Sequence, residues 1–177
     1  MNAFNSFFDA INNFLEMGGT LLTVILWVSI LLWTLIIERL LFFKFHYPEL
    51  RLHCLESWEK RHDKTSKKSL FIRKALLSEA KISMNKTVPI IKMLIALCPL
   101  LGLLGTVTGM ISVFDVLAIT GTGNARAMAS GISQATVPTM AGMVIAISGL
   151  YFSKIIQERI SDESHHLADL LKYHSLK

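Results

Sequence analysis

The chain has 177 residues, enough for one domain, and 52% of them are apolar against 18% charged. A soluble domain of this size carries more charge, so the composition predicts a membrane protein. The net charge of +5 comes mainly from one segment between two apolar blocks. That segment lacks the interleaved aromatic side chains that a single-stranded nucleic acid requires, so we expect no nucleic-acid partner.

In the first 17 residues, apolar side chains recur at helical spacing and polar side chains take the other face. The apolar set is Phe4, Phe7, Phe8, Ile11, Phe14 and Leu15. This pattern predicts a short amphipathic helix on the outer face of the bilayer, anchoring the span that follows. The same residues contain no Lys or Arg, so a cleavable signal peptide is not expected.

Three uncharged runs follow, at 17–37, 93–114 and 127–153. Each is long enough as a helix to cross a hydrocarbon core of about 30 Å. The sequence therefore predicts an all-α polytopic membrane protein, with spans at 18–43, 91–116 and 136–157. Residues 117–135 are expected to form a periplasmic loop, and Pro138 to lie in the first turns of the third helix, where proline is tolerated.

The segment 44–90 is predicted to be helical and cytoplasmic, with a turn near 61–69. No Gly or Pro interrupts 74–88, so its second helix is expected to run unbroken into the second span. The third span is expected to continue into the tail at 158–177. Both long helices would then extend into the cytoplasm.

Basic residues set the predicted orientation. Residues 44–87 hold eleven Lys and Arg, residues 1–20 hold none, and the outer loop holds only Arg126. The positive-inside rule then places the N-terminus in the periplasm and the C-terminus in the cytoplasm of a multi-pass inner-membrane protein.

The sequence offers no recognisable reaction or ligand set. Cys54 and Cys98 are too few for a disulfide framework, and no His/Cys cluster has metal-ligand spacing. No nucleophile, base and acid converge. We expect no enzyme activity, no metal and no cofactor.

Small residues line one face of each of the last two spans. The second-span face holds Gly102, Thr106, Gly109 and Val113, and Gly105 and Gly109 form a further pair of small residues four apart. The third-span set is Ala135, Thr139, Gly142, Ala146 and Gly149. Such faces let helices approach closely in lipid. Two interpretations stay open. Either both faces only pack, with each threonine hydroxyl bonded to its own helix, or Thr106 and Thr139 also line an ion pathway.

Two stretches then carry a resemblance. Residues 102–111 read GLLGTVTGMI, with Phe114 after them, and residues 131–149 read GISQATVPTMAGMVIAISG. These stretches, and Glu38-Arg39-Leu40 after the first span, resemble the signatures of the MotA/TolQ/ExbB proton channel family, and most closely its ExbB branch. Three departures suggest a divergent, short member: Gln134 where many relatives have Glu, Ser148 in place of a usual proline, and the added Pro138.

The resemblance implies a subunit that assembles into a ring, expected to be a pentamer, around a single-span ExbD-like partner. That partner supplies a proton-carrying Asp, and the motion passes to a TonB-like protein that energises import across the outer membrane. Thr106, Thr139 and Gln134 are the implied pathway residues.

Alternatives remain. A TolQ-like subunit of the Tol-Pal envelope system is the nearest, since MotA proteins have four spans. A passive scaffold for single-span partners belongs to a different class. Glu38, Arg39 and Lys92 are expected to be anchors at the cytoplasmic interface, with a helix-to-helix ion pair as the other possibility.

Overall fold

The computed structural model describes residues 2–60, 67–121 and 125–171, and within these ranges all regular structure is α-helical. The five helices, in chain order, are α1 (Asn2–Phe45), α2 (Tyr47–Glu59), α3 (Lys67–Asn85), α4 (Val88–Thr120) and α5 (Ala125–Leu170). Three helical stretches are long and apolar enough to cross a membrane: Gly18–Phe45, Lys68–Ile119 and Met128–Leu170. The predicted all-α class with three spans is confirmed.

A break at Gly19 divides α1 into two helical parts. Gly19 has φ 65° and ψ −162°, a backbone conformation that glycine adopts readily and that strains other residues. The predicted amphipathic segment at 1–17 is helical from Asn2. Its side chains lie outside the described part of the molecule, so its two-faced character stays a prediction.

The connection between the second and third spans is shorter than the predicted loop at 117–135. α4 continues to Thr120 and α5 already begins at Ala125, so only a short connection separates them. The extra turns of α5 are stabilised by packing, because Ala135 lies buried against Gly109 of α4. Pro138 consequently lies well inside α5 rather than in its first turns.

The charged segment and the second span lie in one helical stretch, Lys68–Ile119, but the helix predicted to be unbroken is interrupted by one short turn. Lys86 and Thr87 form a turn between α3 and α4. Pro89, just beyond the stretch used for the prediction, lies in the first turn of α4, where its missing N–H leaves no helical hydrogen bond unmade. The helix therefore restarts at Val88. Of the predicted turn at 61–69, residues 61–66 lie outside the described residues, and α3 begins at Lys67.

The described residues form two compact units. The first, within Met1–Trp33 and Met93–Leu150, is here called the apolar unit. The second, within Thr34–Lys92 and Tyr151–Lys177, is here called the charged unit.

Close backbone approach holds the apolar unit together. A Cβ atom built on Gly142 of α5 would lie 2.5 Å from the carbonyl oxygen of Cys98 on α4. At Gly149 the corresponding neighbour, at 2.9 Å, is the flexible side chain of Ile95. Leu22, Ile25 and other buried side chains of α1 complete this core.

The charged unit has a core of aromatic and aliphatic side chains. Tyr47 and Trp58 of α2 are buried, and the Tyr47 hydroxyl donates a hydrogen bond to the Glu163 carbonyl of α5 at 3.3 Å. Burial raises the pKa of Tyr47, so the phenol stays neutral. Arg73 of α3 donates to the carbonyls of Ala168 and Leu171, which places a cation at the negative C-terminal end of α5.

The glycine contacts give a stability prediction. Gly142→Ala should lower the free energy of unfolding by about 1–3 kcal/mol, because the new methyl group meets backbone that has no room to shift. The matched variant Gly149→Ala should cost clearly less, since the Ile95 side chain can move. Thermal unfolding in detergent measures both. Equal losses in the two variants would contradict the packing described.

Candidate functional site

Three small residues of α4 face three of α5 in antiparallel order. The facing pairs are Gly102 with Thr139, Gly105 with Pro138, and Gly109 with Ala135. A Cβ atom on any of the three glycines would lie within 2.5–2.8 Å of an atom of its partner. The proline ring of α5 occupies the space that a side chain at position 105 would need. The α4 and α5 small-residue faces predicted from spacing are therefore the surfaces on which these helices meet.

One hydrogen bond crosses this contact. The Thr139 hydroxyl on α5 donates to the Gly102 carbonyl on α4 at 2.7 Å. The bond depends on the bare Gly102, because a Cβ atom there would lie 2.8 Å from the Thr139 Cα and push the helices apart. Hydrogen bonds of this kind between membrane helices contribute on the order of 0.6–2 kcal/mol. Thr139 is thus a polar tie between α4 and α5.

Thr106 lies on α4 about one turn beyond Gly102, whose carbonyl accepts the Thr139 hydrogen bond. Its hydroxyl donates to the Leu103 carbonyl of its own helix at 2.7 Å. Since Thr139 donates to the next carbonyl, that of Gly102, the structure brings the two threonine hydroxyls to neighbouring carbonyls of one turn. Both residues are half-buried. The Thr106 hydroxyl therefore bonds within its own helix, as one of the two sequence interpretations expected for both threonines. The Thr139 hydroxyl instead bonds to the other helix.

A polar pocket of about 110 Å³ adjoins this contact in the apolar unit, with Gly105 and Gly109 in its lining. Its polar side chains are Thr20 of α1, Thr108 and Ser112 of α4, and Gln134 of α5. Gln134 reaches toward the break in α1, since its Nε2 atom would lie 2.6 Å from a Cβ atom on Gly19. The third predicted pathway residue thus lies in this pocket, more than one helical turn along α5 from Thr139.

Sequence reasoning missed Thr20, Thr108 and Ser112. The signal was present, because Thr108 and Ser112 are four residues apart and share one helical face with Gly105 and Gly109 close by. Each of the two hydroxyls donates within α4, Thr108 to the Leu104 and Gly105 carbonyls and Ser112 to the Thr108 carbonyl. Their oxygen lone pairs remain available as acceptors, which suits a hydrated polar path.

Two further predicted packing residues lie on α5. Ala146 is buried, and Gly142 lies against the Cys98 carbonyl. Both cysteines are buried thiols. Within the described ranges, no group of three or more His, Cys, Asp or Glu side chains could hold a metal ion.

Arg39 is not the exposed interface anchor that the sequence predicted. Its residue surface is 2% exposed, and its Nη2 atom donates to the Ser83 carbonyl of α3. The guanidinium also lies 4.4 Å from the centre of the Phe42 ring, a cation–π contact that offsets part of the cost of burial. Arg39 therefore ties α1 to α3 inside the charged unit. Its Nε atom has no hydrogen-bond partner among the described residues.

The two other predicted anchors are exposed. Glu38 accepts a long hydrogen bond, 3.4 Å, from the Thr87 hydroxyl in the turn between α3 and α4. Lys92, near the start of α4, is exposed to the surroundings. Their surface positions suit anchors at a lipid–water boundary.

Comparison with known proteins identifies the family of this chain. Residues 47–169 match the model of the MotA/TolQ/ExbB proton channel family. The chain is 43% identical over 82 residues to the biopolymer transport protein ExbB-like 1 of Synechocystis, covering 45% of this chain and 32% of that protein. It is 39% identical over 66 residues to ExbB-like 3 of the same organism, covering 36% and 31%. The matched part thus spans about a third of each relative's length.

The contacts of Arg39 give a second prediction. Arg39→Lys should lower the free energy of unfolding by about 1 kcal/mol, because an ammonium group cannot stack flat on Phe42 while reaching the Ser83 carbonyl. The exposed control Lys92→Arg should leave stability unchanged. Thermal unfolding of both variants measures the difference. An unaltered melting temperature in Arg39→Lys would show that the buried guanidinium contributes nothing specific.

Proposed function

The chain belongs to the MotA/TolQ/ExbB proton channel family, and we propose that it is the ring-forming, ExbB-like subunit of a motor driven by the proton motive force. The observation that carries the proposal is the face where α4 meets α5, in which glycines bring Thr139 onto the Gly102 carbonyl. This face combines close helix packing with a hydroxyl group whose hydrogen bond is satisfied across the two helices. Polar groups that face the interior of a membrane bundle are a common feature of ion pathways.

The proton carrier comes from another chain in this proposal. The uncharged runs at 93–114 and 127–153 contain no Asp, Glu or His, so they hold no side chain that titrates near neutral pH. An ExbD-like partner with one membrane span supplies the carboxylate. Thr106 and Thr139 form the hydroxyl-bearing wall opposite it, and Gln134 lies along the outer part of the route.

The energy source is sufficient for such a step. One elementary charge crossing a potential of 100 mV releases about 2.3 kcal/mol. That exceeds the strength of one interhelical hydrogen bond of the Thr139 type. Each proton can therefore shift the position of the partner helix relative to the ring.

The proposed location is the bacterial inner membrane. The eleven basic residues at 44–87 favour the cytoplasmic side for the charged unit and the periplasmic side for the N-terminus. Five copies around the partner helices, a TonB-like output protein and import across the outer membrane complete the proposal, which describes a transport subunit and not an enzyme. Coupling to the Tol-Pal system instead is an outcome of the test below.

The threonines give the third prediction. Thr106→Val and Thr139→Val should each lower proton flux at least about tenfold in liposomes that contain the chain and its single-span partner, because valine keeps the shape and removes the hydroxyl. Thr136→Val is the matched control. Thr136 bonds within α5, to the Ile132 and Ser133 carbonyls, much as Thr106 bonds within α4, but its side chain is exposed whereas Thr106 and Thr139 are half-buried, so its loss should leave flux intact.

Full flux in both the Thr106 and Thr139 variants would refute their place in the pathway. The system that the motor drives is tested separately. The chain is expressed in a strain that lacks its own TonB-system subunit, and in a strain that lacks its own Tol-Pal subunit. Rescue of TonB-dependent uptake alone supports the proposed coupling. Rescue of envelope integrity alone assigns the chain to the Tol-Pal system.

A further inference from the structure

The outward face of α3 in the charged unit carries an apolar stripe. Phe71, Ala75, Ser78 and Ile82 follow one another at spacings of four, three and four, so they share one side of the helix. Phe71 is 71% exposed and Ile82 is 68% exposed. Large apolar side chains this open on a helix rich in lysine are typical of a contact surface.

Lysines flank the stripe on both sides. Lys74 and Lys81 lie along one edge and Lys68 along the other, and all three are exposed. Glu79 is the single exposed acid beside them. The α3 face is therefore apolar along its middle and positively charged along its borders.

The outward face of α2 has the opposite character. Leu52 is 61% exposed and lies between Glu49 and Glu56 on the same side of the helix, with the exposed ring of Phe45 just before α2. The only ion pair described on this face is a long, exposed one, 3.7 Å, between Glu56 and Lys60. Exposed pairs of this kind are weak, so the Glu56 carboxylate remains available to a partner.

The large apolar side chains of the two faces, Phe71, Ile82 and Leu52, are not part of the core of the charged unit. The opposite side of α2 supplies the buried Tyr47, Cys54 and Trp58, and the opposite side of α3 supplies the buried Ala80 and Met84. Both outward faces are thus left for something outside the chain.

We propose that the α3 face of one copy docks on the α2 face of the next copy, with Phe71 and Ile82 against Leu52 and the lysines against Glu49 and Glu56. This proposal rests on the ring assembly proposed above and names the surface that builds it. Two different faces meeting head to tail form a heterologous contact, which closes into a ring when the rotation between copies permits.

A second copy fits better than lipid. An anionic membrane surface would attract the lysines of α3 and repel Glu49 and Glu56 of α2. A copy of the same chain satisfies both faces with one contact. Buried apolar side chains ringed by opposite charges are also the usual anatomy of a specific protein interface.

Disulfide formation between copies tests the contact. In a chain with Cys54→Ala and Cys98→Ala, Ser78→Cys on one tagged copy and Leu52→Cys on a differently tagged copy should cross-link on mild oxidation in membranes. Both substitutions in one chain should give a ladder that ends at the ring size. The control pairs Leu52→Cys with His165→Cys, an exposed position on α5, and should not cross-link.

Native mass spectrometry of the same preparations shows whether rings are present. Intact rings without a Ser78–Leu52 cross-link overturn the proposed surface and leave the proposed function standing. Absence of any ring counts against the proposed function as well. A bimane label on Ser78→Cys that is quenched by brominated lipid, with no cross-link, assigns the α3 face to the membrane and also overturns the proposal.

Charge reversal is an independent measurement. Lys74→Glu with Lys81→Glu should weaken copy-to-copy association by about threefold or more per contact, because like charges then face Glu49 and Glu56. Adding Glu49→Lys and Glu56→Lys should restore association. Loss of rings without restoration in the fourfold variant contradicts the pairing of these two faces.

Discussion

The structure depends on how closely α4 and α5 approach each other. In lipid there is no hydrophobic force between helices, so association relies on packing and on hydrogen bonds. Gly102, Gly105 and Gly109 remove the side chains that would hold the two helices apart. The approach brings the Thr139 hydroxyl to the Gly102 carbonyl, which places a polar group in an apolar surrounding at little cost. The residues that allow the close packing of α4 and α5 are thus also the residues that hold the polar hydrogen bond between them.

In the proposed motor, this arrangement explains what the apolar unit contributes and what it lacks. The hydroxyls of Thr106 and Thr139 accept and donate hydrogen bonds but do not ionise near neutral pH. A wall of this kind can stabilise a proton carrier without trapping the proton. In the proposed motor, the carboxylate therefore comes from the partner helix. Gln134, an amide that does not ionise, is consistent with the same division of roles.

Much of this could be predicted from the sequence. Three uncharged runs of sufficient length predicted the spans, and the spacing of the α4 glycines predicted a face for close packing. These features depend only on local periodicity and composition, which is why they could be foreseen. The predictions that failed depend on contacts distant in sequence or on single residues. The early start of α5 follows from packing of Ala135 on Gly109, and the turn before α4 is explained by Pro89.

Arg39 and the polar pocket show the same limit. An arginine at the end of a span favours an interface position, and only the fold reveals that the Ser83 carbonyl and the Phe42 ring lie where they can receive it. Thr20 joins the pocket because a positive φ at Gly19 redirects α1. Tertiary contacts decided these positions, and a single sequence gives no direct signal of them.

The central claim is that this chain forms the wall of a proton path and takes its titrating group from a second chain. Proton flux into liposomes tests it most directly, measured for the purified chain alone and for its complex with the single-span partner. The account predicts no flux above empty liposomes for the chain alone, and flux in the complex that disappears when the partner's intramembrane Asp is changed to Asn. Flux through the chain alone, or undiminished flux in the Asp→Asn complex, would contradict it.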